Sequence, residues 1–176
     1  MSDVAVVGAG SWGTAFASVL AANKVDTVLW GRRPETVEEI NVARKNEAYL
    51  PGVELPPSLR ATHDLEEALA RAPVVVIGIP SHAFREKVVE IAPMLNGDAM
   101  LVSLTKGIER DTLMRMSEVA AEAAGVSDDR NVAHVCAPVS SGTAAPSGWT
   151  LWSSRTSRSI SAITRSVTSR RASGSS

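Results

Sequence analysis

The residues best suited to chemistry stand in Gly8-Ala9-Gly10-Ser11-Trp12-Gly13, a G-x-G-x-x-G that follows a short apolar run and precedes a helical pattern. Gly8 permits a tight turn, Gly10 lets the backbone approach a diphosphate, and Gly13 lets the helix lie close against the strand. An anion would then rest on the free amides at the helix start, favoured by the positive end of the macrodipole. In this context, strand before and helix after, the motif predicts a dinucleotide site.

About 20 residues further on, where an NAD site commonly offers a carboxylate to the ribose, the chain reads Gly31-Arg32-Arg33. No acid is in place. Two permanently charged planar guanidiniums suit an adenosine 2′-phosphate, so NADP is expected as well as NAD. Thr105-Lys106-Gly107 ends a later strand, at the edge where open α/β sheets collect ligands, and Lys106 is a candidate clamp for a phosphate or a polarised oxygen. Pro80-Ser81-His82 ends the preceding strand. Ser81 and His82 are candidates to face a nicotinamide, with helix capping the alternative role for His82.

These groups need a scaffold, and its elements can be read from the hydrophobic pattern. Runs at Val4–Val7, Thr27–Trp30, Val74–Ile77, Ala99–Leu104 and Val132–Val135 are too short for helices and fit buried parallel strands, and Arg60–Thr62 is expected as a short third strand. Val74–Ile77, β-branched throughout, is expected to be central. Helices are expected at Thr14–Asn23, with Ala15, Ser18, Val19 and Ala22 facing the sheet, at Pro34 to about Asn46, and from Asp64 onward. Asp64 and Glu67 have capping-box spacing, ahead of a stripe of Leu65, Ala68, Leu69 and Ala72. Two more helices are expected at Phe84–Ala92 and Leu113–Ala124, the last ended by Gly125. Strands alternating with helices at this spacing predict a doubly wound parallel sheet, an α/β Rossmann-like fold.

Charge divides the chain. All 19 acidic residues stand at or before Asp129, whereas residues 139–176 hold five arginines, 13 serines, five threonines and no Asp, Glu or Lys. Neither helical nor alternating period persists there. A cofactor domain over 1–138 and a Ser/Arg-rich disordered tail over 139–176 are therefore expected. The lone Cys136 offers no internal disulfide and no metal cluster, so no metal site is expected. Without a secretory leader pattern or an apolar run of membrane length, the expected compartment is the cytoplasm, with no membrane partner. Nucleic acid is not an expected partner.

Five segments taken together resemble the bacterial NAD(P)-dependent glycerol-3-phosphate dehydrogenase family: GAGSWGTAFA at 8–17, LWGRR at 29–33, Tyr49-Leu50-Pro51-Gly52-Val53, VVVIGIPSHAF at 74–84 and SLTKGIE at 103–109. The resemblance covers about residues 3–135. It implies hydride transfer between a nicotinamide cofactor and sn-glycerol 3-phosphate or dihydroxyacetone phosphate, a step that supplies glycerophospholipids. By position it implies cofactor contacts at Ser11 and Trp12, beside the motif glycines Gly8, Gly10 and Gly13, adenosine-phosphate contacts at Arg32 and Arg33, and a contact shared by cofactor and substrate at Lys106.

It also implies a Ser-Gly-Pro after the sixth strand and a helical second domain with a proton-transfer lysine. Here the text is Cys136-Ala137-Pro138-Val139-Ser140, and Lys106 is the last lysine. No catalytic residue is therefore assigned. The chain is expected to be truncated or read out of frame after about residue 135, inactive alone, and prone to self-association through a face that a further domain would cover. Coding DNA read in the other frames near that codon should restore a Gly-Pro motif if so. A cofactor-binding module without turnover, and another NAD(P)-dependent dehydrogenase of the same superfamily, are the alternatives.

Overall fold

Six short strands run parallel in one sheet of order β3-β2-β1-β4-β5-β6. In chain order they are β1 (Val4–Val7), β2 (Thr27–Trp30), β3 (Arg60–Thr62), β4 (Val74–Ile77), β5 (Met100–Ser103) and β6 (Val132–His134). The computed structural model describes residues 2–97 and 99–125 and the backbone of residues 132–134. The expected tail and Cys136 lie outside the described residues. β1 and β4 stand at the centre in unbroken register, Val4 opposite Val74 through Val7 opposite Ile77. All four residues of each are buried, as strands covered on both faces must be.

Successive side chains of a strand point to opposite faces, so two cores form. Ala5, Val7, Val75, Ile77 and Leu101 pack with residues of α3 (Leu65–Leu69), α4 (Phe84–Ile91) and α5 (Met116–Ala124), including Leu69, Phe84, Val88, Ile91, Met116 and Val119. α1 (Ser11–Ala22) lies on the other side, against β1 and β2. The doubly wound α/β, Rossmann-like fold read from the sequence is the fold observed.

Several local expectations need correction. α1 begins at Ser11, three residues before the expected Thr14, because Gly10 is itself the N-cap, with extended φ −76° and ψ 179°. Its buried face is Gly13, Thr14, Phe16, Ala17, Leu20 and Ala21, not the expected stripe of Ala15, Ser18, Val19 and Ala22. The cause is Gly13: a Cβ there would lie 1.8 Å from the Gly8 carbonyl oxygen, so this residue abuts the strand end and sets the helix phase.

The second helix is shorter than expected. α2 spans Pro34–Glu38 and passes into a π-helical turn, Glu39–Ala43, closed by Arg44 in the left-handed region at φ 56°. Asn41 in this turn behaves as a surrogate peptide group: its Nδ2 donates to the Ala61 carbonyl (2.8 Å) and its Oδ1 accepts from the Ala61 N–H (2.9 Å). The free side of edge strand β3 is thereby occupied.

At α3 only half of the capping box forms. Asp64 accepts from the Glu66 and Glu67 amides, but the Glu67 carboxylate takes the Thr62 hydroxyl, and the Asp64 amide donates to that same hydroxyl oxygen. α5 starts at Met116 rather than Leu113, whose φ of 58° excludes it from a helix. Gly125 ends it in the left-handed conformation, as expected.

Candidate functional site

Sheet order reverses between β1 and β4: the chain winds outward from β1 to β3, then returns to β4 on the other flank. A crevice opens at such a reversal, at the carboxyl ends of the strands. Here it is a cleft of about 340 Å³. β1 and the start of α1 contribute Gly10, Ser11 and Trp12, the end of β4 contributes Gly78, Ile79 and Pro80, and the end of β5 contributes Leu104, Thr105 and Lys106.

The three motif glycines serve different ends. Gly8, at φ 121°, would carry a Cβ 2.6 Å from the Gly78 carbonyl oxygen, and the corresponding Gly13 contact is shorter still. Both are demanded by packing. Gly10 is not: its backbone suits any residue, and a Cβ there would meet nothing within 4 Å. α1 has no side-chain cap and no acid in its first turn, so its leading amides and the positive dipole end are left for an external anion.

Lys106 is exposed at the rim, its Nζ 5.6 Å from the centroid of the Trp12 ring. A cation over an indole face is favoured by roughly 0.5–1 kcal/mol at exposed sites. Behind it, Thr105 is anchored, its hydroxyl donating to the Ile79 carbonyl (2.8 Å) and its amide to Ser103 Oγ (3.2 Å). The expected pair Ser11–Trp12 and Lys106 thus meet in one cleft.

Arg32 and Arg33 stand exposed at the end of β2, on the same sheet edge but outside the cleft lining. Arg33 Nε is 3.8 Å from a Glu35 carboxylate oxygen, while Arg32 has no ion pair among the described residues. Ser81 and His82 occupy a 3₁₀ turn, Ser81–Ala83, and neither lines the cleft. Nor does His82 cap α4, whose N-cap is Ala83 with no side-chain hydrogen bond. Among the described residues no three His, Cys, Asp or Glu side chains gather as a metal site would require, and no helix is long and apolar enough to cross a membrane.

One structural feature near the site gave no sequence signal. Arg85 on α4 makes a bidentate pair with Glu109 (Nε to Oε1 2.7 Å, Nη2 to Oε2 2.8 Å) and also reaches Glu122 on α5 (3.1 Å). Thr112 donates to Glu109 as well (2.6 Å). These bonds secure the loop that leaves the cleft at Lys106. Sequence spacing could not have paired residues 24 and 37 positions apart.

The Arg85 guanidinium, then the Thr112 hydroxyl, hold the Glu109 carboxyl down to about 2. A carboxyl depressed in the folded state stabilises it fully above its unfolded value and loses that contribution as pH falls toward the folded one. Melting temperature is therefore expected to decline from about pH 4.5 toward pH 2. In Glu109→Gln that decline should be shallower, with a lower starting point at neutral pH. Parallel pH profiles for the two proteins would contradict it.

With this arrangement in view, the comparisons with known proteins are direct. The model of the NAD-dependent glycerol-3-phosphate dehydrogenase N-terminus matches residues 3–140. The chain belongs to that family. It is 50% identical over 125 residues to the glycerol-3-phosphate dehydrogenase [NAD(P)+] of Corynebacterium kroppenstedtii, 71% of this chain and 38% of that protein. It is 52% identical over 124 residues to a second such enzyme, from Mycobacterium bovis, 70% of this chain and 37% of that protein. Among solved structures, the glycerol-3-phosphate dehydrogenase of Coxiella burnetii superimposes with a TM-score of 0.65 at 33% identity, over 70% of this chain and 38% of that one. The yeast enzyme gives 0.67 at 26% identity, over 76% and 41%.

The chain thus spans about two fifths of the length of these glycerol-3-phosphate dehydrogenases and matches the N-terminal part of the family. The family resemblance drawn from the five segments is the one found, and the relatives matched are named as dehydrogenases. NAD or NADP, the cofactor class expected from the glycine motif, is also the class named for the family and its relatives.

Proposed function

We propose that residues 1–138 form the cofactor domain of an NAD(P)-dependent glycerol-3-phosphate dehydrogenase, which interconverts sn-glycerol 3-phosphate and dihydroxyacetone phosphate. The observation that carries this reading is Gly10: the fold has room for a side chain there and sets none, directly beside uncapped helix amides. A diphosphate fits that opening chemically, since it needs N–H donors and close backbone approach. When bound, the nicotinamide supplies or takes up the hydride.

The chain's own residues do the rest. Gly10, Ser11 and Trp12 seat the diphosphate, and Gly8 and Gly13 hold that seat in shape. Arg32 and Arg33 offer fixed positive charge to an adenosine 2′-phosphate. Lys106, steadied over Trp12, presents its ammonium at the mouth where a substrate phosphate or oxygen would arrive. Within these 176 residues no lysine follows Lys106, so the group that exchanges the hydroxyl proton is not assigned to them.

Calorimetry with NADPH and NADH tests the site. Arg32→Ala and Arg33→Ala are each expected to weaken NADPH about tenfold, the equivalent of about 1.4 kcal/mol, and to leave NADH nearly unchanged. Equal losses for both cofactors would remove the 2′-phosphate assignment, and no heat with either cofactor would remove the site. Mixed with dihydroxyacetone phosphate and NADPH, the isolated chain should leave the reduced-nicotinamide absorbance constant. Steady oxidation would show that it carries its own proton donor.

A further inference from the structure

Asn46 is outside the cleft lining, yet its side chain is wholly buried and reaches the glycine loop from the segment that follows the π turn. Its Nδ2 donates to the Ala9 carbonyl (3.1 Å) and to the Thr14 hydroxyl oxygen (2.9 Å). A carbonyl oxygen can only accept, so the amide must face Ala9 with its nitrogen, and this settles which way it points. Asn46 Oδ1 is buried with no hydrogen-bond partner among the described residues.

The residue is held from its own side as well. Its carbonyl accepts from the Tyr49 amide (3.2 Å) and the Leu50 amide (2.7 Å). It is therefore a fixed post rather than a swinging side chain. The peptide joining Ala9 to Gly10 is trans, and in a planar trans peptide the C=O and N–H point in opposite directions. With the Ala9 oxygen drawn toward Asn46, the Gly10 N–H is turned away from it.

We propose that Asn46 is a positioning residue for the diphosphate of the dinucleotide: by fixing the Ala9 carbonyl it orients the Gly10 amide that the diphosphate uses. The inference rests on the cofactor reading above and assigns part of that affinity to a residue that does not line the cleft.

Two variants of the full chain separate positioning from plain structural support. Asn46→Ala removes both hydrogen bonds. Thr14→Val removes only the one that leaves Ala9 alone. Asn46→Ala is expected to weaken NADPH, NADH and ADP-ribose, which share the diphosphate, at least tenfold, and to leave 2′-AMP, which lacks it, within twofold. Thr14→Val should stay within threefold for all four, even where its melting temperature falls as far. The Gly10 amide resonance of the free chain should move in Asn46→Ala and hold in Thr14→Val.

Equal weakening by the two variants, or NADPH affinity within twofold of the unmodified chain in Asn46→Ala, overturns the proposal. Should Asn46→Ala not fold, the side-chain amide resonances of Asn46 in the unmodified chain decide: they must shift on adding ADP-ribose, and unmoved signals refute it. If the unmodified chain takes up no dinucleotide, the cofactor reading fails. The link from Asn46 to Gly10 then fails separately only if the Gly10 amide also keeps its position in Asn46→Ala.

Discussion

Gly13→Ala is expected to destabilise the fold by about 3 kcal/mol or more, the upper part of the range for overpacking a tight interior. The added methyl would sit 1.8 Å from the Gly8 carbonyl oxygen and 3.0 Å from its carbon, and both obstacles are backbone, which cannot rotate aside. Gly8 cannot retreat either, since a Cβ on it would already be 2.6 Å from the Gly78 carbonyl, and Gly78 in turn stands close to the Gly13 backbone. β1, the start of α1 and the end of β4 meet here backbone against backbone. A melting temperature lowered by roughly 10 °C is the expected reading, at several degrees per kcal/mol for a domain of this size. A variant melting within two degrees of the unmodified chain would mean that α1 packs less closely than described.

Gly10→Ser should do the opposite. Serine is compatible with the extended backbone of Gly10, meets no neighbour, and is a better N-cap than glycine by a few tenths of a kcal/mol. Its hydroxyl would accept from an amide of the first turn, which is the group an external anion needs. The fold should be as stable or slightly more so, while NADPH affinity falls on the order of a hundredfold, about 2.7 kcal/mol. Such a gain in stability against a loss of function is expected where a site is left deliberately unsatisfied. Retained affinity in a well-folded Gly10→Ser protein would place the diphosphate elsewhere on the sheet edge.

The difference between these two glycines marks what could be read from the sequence. Three strands, Val4–Val7, Thr27–Trp30 and Val74–Ile77, fall where the apolar runs place them, because a buried parallel strand has no competing way to satisfy such a run, and the short edge strand Arg60–Thr62 also stands where it was expected. The motif glycines were legible for a similar reason, since their spacing is tied to a strand and a helix start, whereas Lys106 stood out only through the family resemblance. Helix limits were not. α1 starts where Gly10 caps it, α5 starts after Leu113 adopts a left-handed turn, and α2 yields to a π turn; each depends on contacts made only in the folded chain. Asn46 and the Arg85–Glu109 pair were hidden for the same reason. A polar residue in a loop carries no period, and its partners lie 24 to 37 positions away.

The π turn at Glu39–Ala43 has one more implication. Such a turn holds one residue more than the α-helical path it replaces, so excising a single residue from it would let the helix tighten to regular winding. The stretch that follows directly, through Asn46, would then rotate by about 100° and draw back by about 1.5 Å, the step of one residue. The polypeptide would keep its hydrophobic pattern and its strands, but the amide that steadies the phosphate loop would swing to a different bearing. Chain length in a stretch bearing no ligand-facing group would thus govern the aim of the binding site.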